Sequence, residues 1–98
     1  MATVELTRFR VTADQRDALL ASRPDMLRDF AADRAGFIDA RLVELPDGEW
    51  LDIVRWRSPA DFDASRKKGA NRPGIQAFFR AISQVISSEQ GVEAEVAP

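Results

Sequence analysis

The chain has 98 residues, a formal net charge of −2, 45% hydrophobic residues and 31% charged residues. These values are typical of one globular domain, residues 1–98, and the charge balance argues against a nucleic-acid partner. Cysteine, histidine and tyrosine are absent, which excludes disulfides, thiolate or imidazole metal ligands, and acid–base chemistry by these side chains. No leader follows Met1 and no apolar run approaches membrane-spanning length, so we expect a cytoplasmic protein with no membrane partner.

The first third of the chain predicts a strand followed by a helix. Residues 3–11 are rich in strand-forming residues and alternate between two faces. One face carries Glu5, Thr7, Phe9 and Val11. Thr12 fits a helix N-cap, and apolar residues at helical spacing extend that helix to about residue 34. Pro24 lies inside it, so we expect a kink or a split at this point.

Residues 36–57 predict a long β-hairpin whose two arms alternate in residue type around Pro46-Asp47-Gly48. If Asp47 and Gly48 form a two-residue turn, one face combines carboxylates, an arginine and both tryptophans. That face carries Phe37, Asp39, Arg41, Val43, Leu45, Trp50, Asp52, Val54 and Trp56.

The last third predicts two short helices and a final strand. Ser58-Pro59 is a strong helix start, and this helix ends at Gly69. The next helix places four apolar residues on one core-facing stripe. They are Ile75, Phe78, Phe79 and Ile82. The final strand is expected over residues 85–96.

The predicted order, β-α-β-β-α-β with the second helix broken in two, indicates an α+β, ferredoxin-like split βαβ fold with an antiparallel four-stranded sheet. Helices should cover one face of the sheet. The other face would leave a group of apolar side chains bare: Leu6, Ile38, Leu42, Leu51 and Ile53. An exposed patch of this kind usually marks an interface, so we expect a homodimer that packs sheet against sheet.

Several fragments together resemble antibiotic-biosynthesis-monooxygenase-like proteins, a branch of the dimeric α+β barrel superfamily. They are VELTRFRV, GFIDARLVEL and EWLDIVRWRSPADF, followed by a helix with two adjacent phenylalanines and by an acidic final strand. The resemblance implies a dimeric barrel and oxygenation of a small molecule without metal, haem or flavin. Haem-degrading relatives use an Asn, a Trp and a His; Trp56 matches the Trp, Thr7 stands in the Asn position, and no His exists. The pocket Tyr of the polyketide oxygenases has no counterpart either.

If Trp56 faces the helices as in such relatives, a pocket forms between sheet and helices. Its expected catalytic residues are Asp52, as the base, and Arg41, which lies diagonal to Asp52 and stabilises an anion. The alternative for this pair is a structural ion pair. The expected substrate-binding residues are Trp50, Trp56, Thr7, Phe9, Phe78 and Phe79, and core packing is the alternative for the tryptophans.

Three functions are compatible with such a pocket. The first is a cofactor-independent monooxygenase-like enzyme that acts on an aromatic or polyketide-type small molecule. The second is a non-catalytic protein that binds a hydrophobic or aromatic ligand, or an accessory protein. The third is a cyclase or isomerase on the same fold. None of them requires a cofactor or a metal.

Overall fold

The computed structural model describes residues 1–95, which form a four-stranded antiparallel sheet and three helices. The strands are β1 (Thr3–Arg10), β2 (Phe37–Glu44), β3 (Glu49–Trp56) and β4 (Gln84–Val92), and the helices are α1 (Arg16–Asp33), α2 (Pro59–Lys68) and α3 (Pro73–Arg80). The sheet order β2-β3-β1-β4 confirms the ferredoxin-like split βαβ prediction. Strand β4 ends at Val92, and Val96 lies outside the described residues.

Strand β3 defines the two faces of the sheet. Its side chains alternate strictly between buried and half-buried, and the buried set is Trp50, Asp52, Val54 and Trp56. Antiparallel pairing with β1 sets Glu5 opposite Val54, Thr7 opposite Asp52, and Phe9 opposite Trp50. Since side chains alternate along a strand, Glu5, Thr7 and Phe9 share the helix-covered face with the buried residues of β3.

The register of the β2–β3 hairpin differs from the predicted one by a single residue. The amide of Leu45 donates to the carbonyl of Glu49 at 2.8 Å, so three residues close the turn. Both Asp47 (φ 62°) and Gly48 (φ 75°) adopt positive φ, which a short polar side chain and glycine tolerate best. A two-residue turn was expected, and the extra loop residue moves β2 by one position along β3.

This shift exchanges the two faces of β2 from Asp39 to Glu44, whereas an irregularity before Asp39 keeps Phe37, opposite Trp56, on the helix-covered face. Leu42 is opposite Asp52, whereas Arg41 is opposite Ile53. Because a shift of one residue turns every side chain to the other face, Arg41 is exposed on the open face. The predicted pairing of Arg41 with Asp52 is therefore wrong. Placing Leu42 on the open face is wrong as well, since Leu42 packs against the core.

The helices follow the sequence signals closely, with two differences. Thr12 makes no capping hydrogen bond and instead precedes a short 3-10 turn, Ala13–Gln15, that leads into α1. Helix α1 runs through Pro24 as one element, so the predicted split does not occur. Helix α2 is capped as predicted, because the amide of Asp61 donates to Ser58 Oγ at 3.1 Å.

The hydrophobic core consists of two clusters rather than one. The larger cluster contains Phe9, Val11, Leu19, Met26, Trp50, Ile75, Phe78 and Ala81. The smaller cluster contains Val54, Trp56 and Phe62, with Phe30, Phe37 and Ala40 packed against it. Both clusters lie between the sheet and the helices, and the space between them holds the polar groups described below.

A buried arginine ties the end of α1 to the segment that joins α2 to α3. Arg34 donates to Ser65 Oγ, to Asn71 Oδ1 and to the carbonyl of Gly69, at 2.8, 2.8 and 2.5 Å. Beside it, hydrogen bonding from Asn71, reinforced by two cationic neighbours, holds the pKa of Asp33 well below its usual range. This network fixes α2 and α3 over the sheet. Across residues 1–95, the helices are too short or too polar to cross a membrane.

Candidate active site

A cavity of about 470 Å³ opens between the sheet and the helices, in the space between the two core clusters. Its apolar walls come from Phe9, Met26, Phe30, Phe37, Ala40, Val54, Phe78, Phe79, Ile82 and Val85. Its polar lining comes from Glu5, Thr7, Asp52, Ser83, Gln84 and Ser88. The volume lies in the range of ligand pockets, roughly 300–1,000 Å³, and apolar walls with a few convergent polar groups are typical of such pockets.

Asp52 contributes to this lining, but its charge is already paired. Arg23 of α1 donates to both carboxylate oxygens, at 2.7 and 2.8 Å, and both side chains are about nine-tenths buried. The Arg23 guanidinium also lies 5.1 Å from the centre of the Phe78 ring. A bidentate pair of this geometry is strong and directional, and it occupies both oxygens that a base would need. The alternative of a structural ion pair therefore holds for Asp52, with Arg23 as the partner instead of Arg41.

Glu5 is the second carboxylate of the cavity, and its surroundings differ from those of Asp52. The indole N–H of Trp56 donates to Glu5 Oε1 at 3.1 Å. Burial raises the pKa of Glu5 above its ordinary value of 4.5, and the nearby charge of Asp52 adds to this, while the Trp56 hydrogen bond and Arg66 act in the opposite direction. A partly desolvated carboxylate at the edge of a pocket is a common feature of acid–base sites.

The two tryptophans pack in the core behind the cavity walls and do not line the cavity. Trp56 is fully buried among Phe30, Phe37 and Phe62, with ring centres 5.8–6.2 Å apart. Trp50 packs in the larger cluster. Neither tryptophan belongs to the cavity lining. A ligand in the cavity therefore cannot stack directly on either indole.

Among the other predicted binding residues, Thr7, Phe9 and Phe78 do line the cavity. Phe79 lines it too, but its side chain is 44% exposed, so Phe79 forms part of the rim and not of the core stripe that was expected. Within the aromatic wall, Phe9 and Phe78 meet edge to face with ring centres 6.2 Å apart, a favourable packing of two rings.

Sequence reasoning missed Arg23 and Glu5 as site residues. Glu5 carried a usable signal, because strand alternation places it on the same face as Thr7 and Phe9. Arg23 carried none, since helical periodicity does not indicate that an arginine beside Pro24 will be buried. In the described part of the chain, no three carboxylates are grouped so as to hold a metal ion.

A smaller cavity of about 210 Å³ lies on the other side of Glu5. It is lined by Glu5, Phe30, Arg34, Ser65, Arg66, Gly69 and Phe79. Glu5, Phe30 and Phe79 line both cavities. Glu5 therefore borders both the aromatic cavity and a second cavity that Arg34 and Arg66 also line.

Solved structures with the same fold cover nearly the whole chain. An oxygenase from Streptomyces nogalater, SnoaB, described as cofactor-independent, superimposes with a TM-score of 0.73 at 15% identity, covering 99% of this chain and 97% of its own. A candidate antibiotic biosynthesis monooxygenase from Chloroflexus aurantiacus gives 0.71 at 20% identity, with 100% and 98% covered. Another, from Bordetella bronchiseptica, gives 0.79 at 9% identity, with 96% and 98% covered. At these identities the likeness establishes the fold.

The sequence itself establishes the family. No curated protein matches the chain. The family model described as antibiotic biosynthesis monooxygenase matches residues 2–81, which include β1, β2, β3 and all three helices. The chain therefore belongs to the antibiotic biosynthesis monooxygenase family.

Proposed function

We propose that this protein is a cofactor-independent monooxygenase that acts on an aromatic, polyketide-type small molecule. The observation that carries the proposal is the open cavity of about 470 Å³, with phenylalanine walls and carboxylates in its lining. Family membership and the shared fold with a cofactor-independent oxygenase support the same conclusion. Flat aromatic rings suit such walls because they bury a large apolar area against phenyl faces and edges.

The reaction needs an acidic ligand, dioxygen and a base. A hydroxyanthrone, for example, loses a proton from its CH₂ group, and the electron pair of that C–H bond stays on the ligand. The anion transfers one electron to dioxygen, and the radical and superoxide combine into a C–O–O⁻ group. Protonation gives a hydroperoxide; loss of the second C–H proton then breaks the O–O bond, which yields the quinone carbonyl and water. The protein's part is to accept protons, stabilise anions and exclude water.

The position of each residue in or behind the cavity determines its part in this reaction. Phe9, Phe78 and Phe79 would contact the ligand rings, and Thr7 would hydrogen-bond to a ligand oxygen. The Arg23–Asp52 pair would provide a fixed dipole under the ligand. Trp50 and Trp56 support the walls from the core, and Arg41 on the open face has no part in the chemistry.

The open face of the sheet favours a homodimer. It presents Val4 and Leu6 from β1 next to Leu51 and Ile53 from β3, all only half-buried in the single chain. Charged pairs border this patch: Arg55 is joined to Asp39 at 2.6 and 2.8 Å, and Arg8 to Glu49 at 3.1 Å. A second copy would cover the apolar centre and leave these pairs at the rim.

A binding protein without turnover is the second candidate. It is favoured by one observation, namely that Arg23 occupies both oxygens of Asp52. This candidate predicts that aromatic ligands quench tryptophan fluorescence while neither oxygen is consumed nor product formed. A cyclase or isomerase would instead convert its ligand in the absence of oxygen.

The proposed function is tested with an oxygen electrode. The purified protein is treated with a chelator and mixed with dithranol, a hydroxyanthrone, and oxygen uptake is compared with quinone formation. We expect one molecule of oxygen consumed per quinone formed, at a rate well above that of the protein-free solution. Uptake no faster than the protein-free rate, for dithranol and related phenols that bind, would contradict an oxygenase.

A cavity-blocking variant shows whether the reaction occurs in this cavity. Ser88 of β4 lines the cavity and is exposed, so Ser88→Trp should fill the space without disturbing the core. Ala64→Trp is the matched control, because Ala64 is exposed on α2 and lies outside the lining. We expect Ser88→Trp to lose oxygen uptake and Ala64→Trp to keep it.

A further inference from the structure

We propose that Glu5 is the proton acceptor of the aromatic cavity, and that the smaller cationic cavity behind it is the route by which the proton reaches solvent. The proton acceptor expected from the sequence was Asp52. The two carboxylates lie on the same face of adjacent strands, with Glu5 opposite Val54 and Asp52 opposite Thr7. They differ in what their oxygens already bind.

Arg23 is bound to both oxygens of Asp52, whereas one oxygen of Glu5 has no partner within residues 1–95. Both oxygens of Asp52 accept from Arg23, at 2.7 and 2.8 Å. Glu5 Oε1 accepts from Trp56 Nε1 at 3.1 Å, and within residues 1–95 no hydrogen bond engages Oε2. Glu5 lines the cavity directly. An oxygen of Glu5 is thus available to a ligand in the cavity, with the carboxylate oriented by the indole.

The charges around Glu5 suit a carboxylate that changes its protonation state. Asp52 of β3 and Arg66 of α2 act on Glu5 with opposite sign, Arg34 of α1 lines the smaller cavity, and Gln90 of β4 is the neutral residue opposite Glu5. Burial raises the pKa of Glu5 above its ordinary value, which makes its carboxylate a stronger base. Without the Trp56 hydrogen bond, the pKa would be higher still.

The transfer is a simple one. A C–H or phenolic O–H bond of the ligand breaks, its electron pair stays on the ligand, and the proton forms a bond to Glu5 Oε2. Because Glu5 also borders the smaller cavity, the same carboxyl group can then release the proton to water beside Arg66. Trp56 is a positioning residue in this scheme, since it touches Glu5 and not the ligand.

The assignment of Glu5 as the proton acceptor is tested by mixing the protein with dithranol in the absence of oxygen. This test rests on the proposed function only for the choice of ligand. The dithranol anion absorbs visible light, so its formation is followed by absorbance and ligand binding by tryptophan quenching. We expect the wild-type protein to form the bound anion, and Glu5→Gln to bind dithranol yet form the anion about 10²–10⁴ times more slowly. The matched control, Asp63→Asn, changes an exposed carboxylate of α2 that lines neither cavity and should behave as wild type.

The outcomes separate the two proposals. Anion formation without oxygen uptake would disprove the oxygenase and leave the assignment of Glu5 intact. Equal anion formation by wild type and Glu5→Gln would overturn the assignment and leave the oxygenase intact. A pH titration of the Glu5 carboxyl carbon by NMR tests the assignment without a ligand. We expect the pKa of Glu5 to lie above 4.5 and to be higher again in Trp56→Phe. A pKa at or below 4.5 would also overturn the assignment.

Discussion

Replacement of Arg23 by methionine is the most informative single change in this protein. It keeps a long side chain on α1 but removes the guanidinium that is joined to Asp52 by hydrogen bonds of 2.7 and 2.8 Å. The exposed fractions of the two side chains are only 10% and 11%. Asp52 would then be a buried carboxylate without a counter-charge, which typically costs about 3–5 kcal/mol.

A loss of this size is a large part of the total stability of a small domain, which is roughly 5–15 kcal/mol. In a chain of 98 residues it corresponds to a fall in Tm of roughly 15–30 °C. The assay is urea denaturation followed by circular dichroism and by tryptophan fluorescence, at one fixed protein concentration because a dimer would make the stability depend on it.

Two further arginine variants show whether the loss of stability is specific to the Arg23–Asp52 pair. Arg28→Met alters an arginine of the same helix that is 72% exposed and pairs, within residues 1–95, only with Asp25. This variant should change the stability by less than about 0.5 kcal/mol. Arg41→Met should be equally mild if Arg41 lies on the open face. Combining Arg23→Met with Asp52→Leu should recover most of the loss, since a buried ion pair can be replaced by apolar residues. A loss below about 1 kcal/mol in Arg23→Met, or a larger one in Arg41→Met, would refute the pairing.

Three other variants test separate parts of the structure. Glu5→Gln should be more stable than wild type at pH 7 by differential scanning calorimetry. Because the carboxyl pKa is raised in the folded state, the Glu5 charge destabilises the wild-type fold as pH rises above 4.5. The stability gain of Glu5→Gln should therefore vanish below that pH, and a gain that persists there would contradict the burial of this charge. Gly74→Ala should lower the free energy of unfolding by about 1–3 kcal/mol in urea denaturation, because its new Cβ would lie 2.6 Å from the carbonyl oxygen of Asp25. Gly91→Ala is the control: its new Cβ would meet no described atom within 4 Å, so the stability should not change. Ile53→Lys on the open face should convert the proposed dimer to a monomer in light scattering. A wild-type protein that is already monomeric at micromolar concentration would disprove the proposed dimer.

The strands and helices were predictable because their local signals agree with the fold. Alternation along β1 and β3 depends only on the two-residue period of a strand, and the structure keeps it from Glu49 to Trp56. Ser58 and Pro59 specify the start of α2 by local hydrogen bonding and fixed φ. The fold class follows from the order of these elements.

The site was less predictable because it depends on register and packing. Pro46-Asp47-Gly48 fits a two-residue or a three-residue turn equally well in sequence, since both Asp47 and Gly48 tolerate positive φ. That single residue decides whether Arg41 faces the cavity or the open side of the sheet. The actual partner of Asp52 comes from a helix 29 positions away in the chain, and only the packing of α1 on the sheet brings Arg23 there.

The central claim is that an aromatic ligand occupies the cavity beside Glu5, and the two indole N–H signals of the protein test it most directly. Trp56 donates its indole N–H to Glu5, whereas Trp50 lies in the larger core cluster with the Arg16 guanidinium 6.0 Å from its ring. In an NMR titration with dithranol under nitrogen, we expect the Trp56 indole signal to shift saturably while the Trp50 signal stays in place. A titration that moves only Trp50, or neither signal although the ligand binds, would contradict the claim.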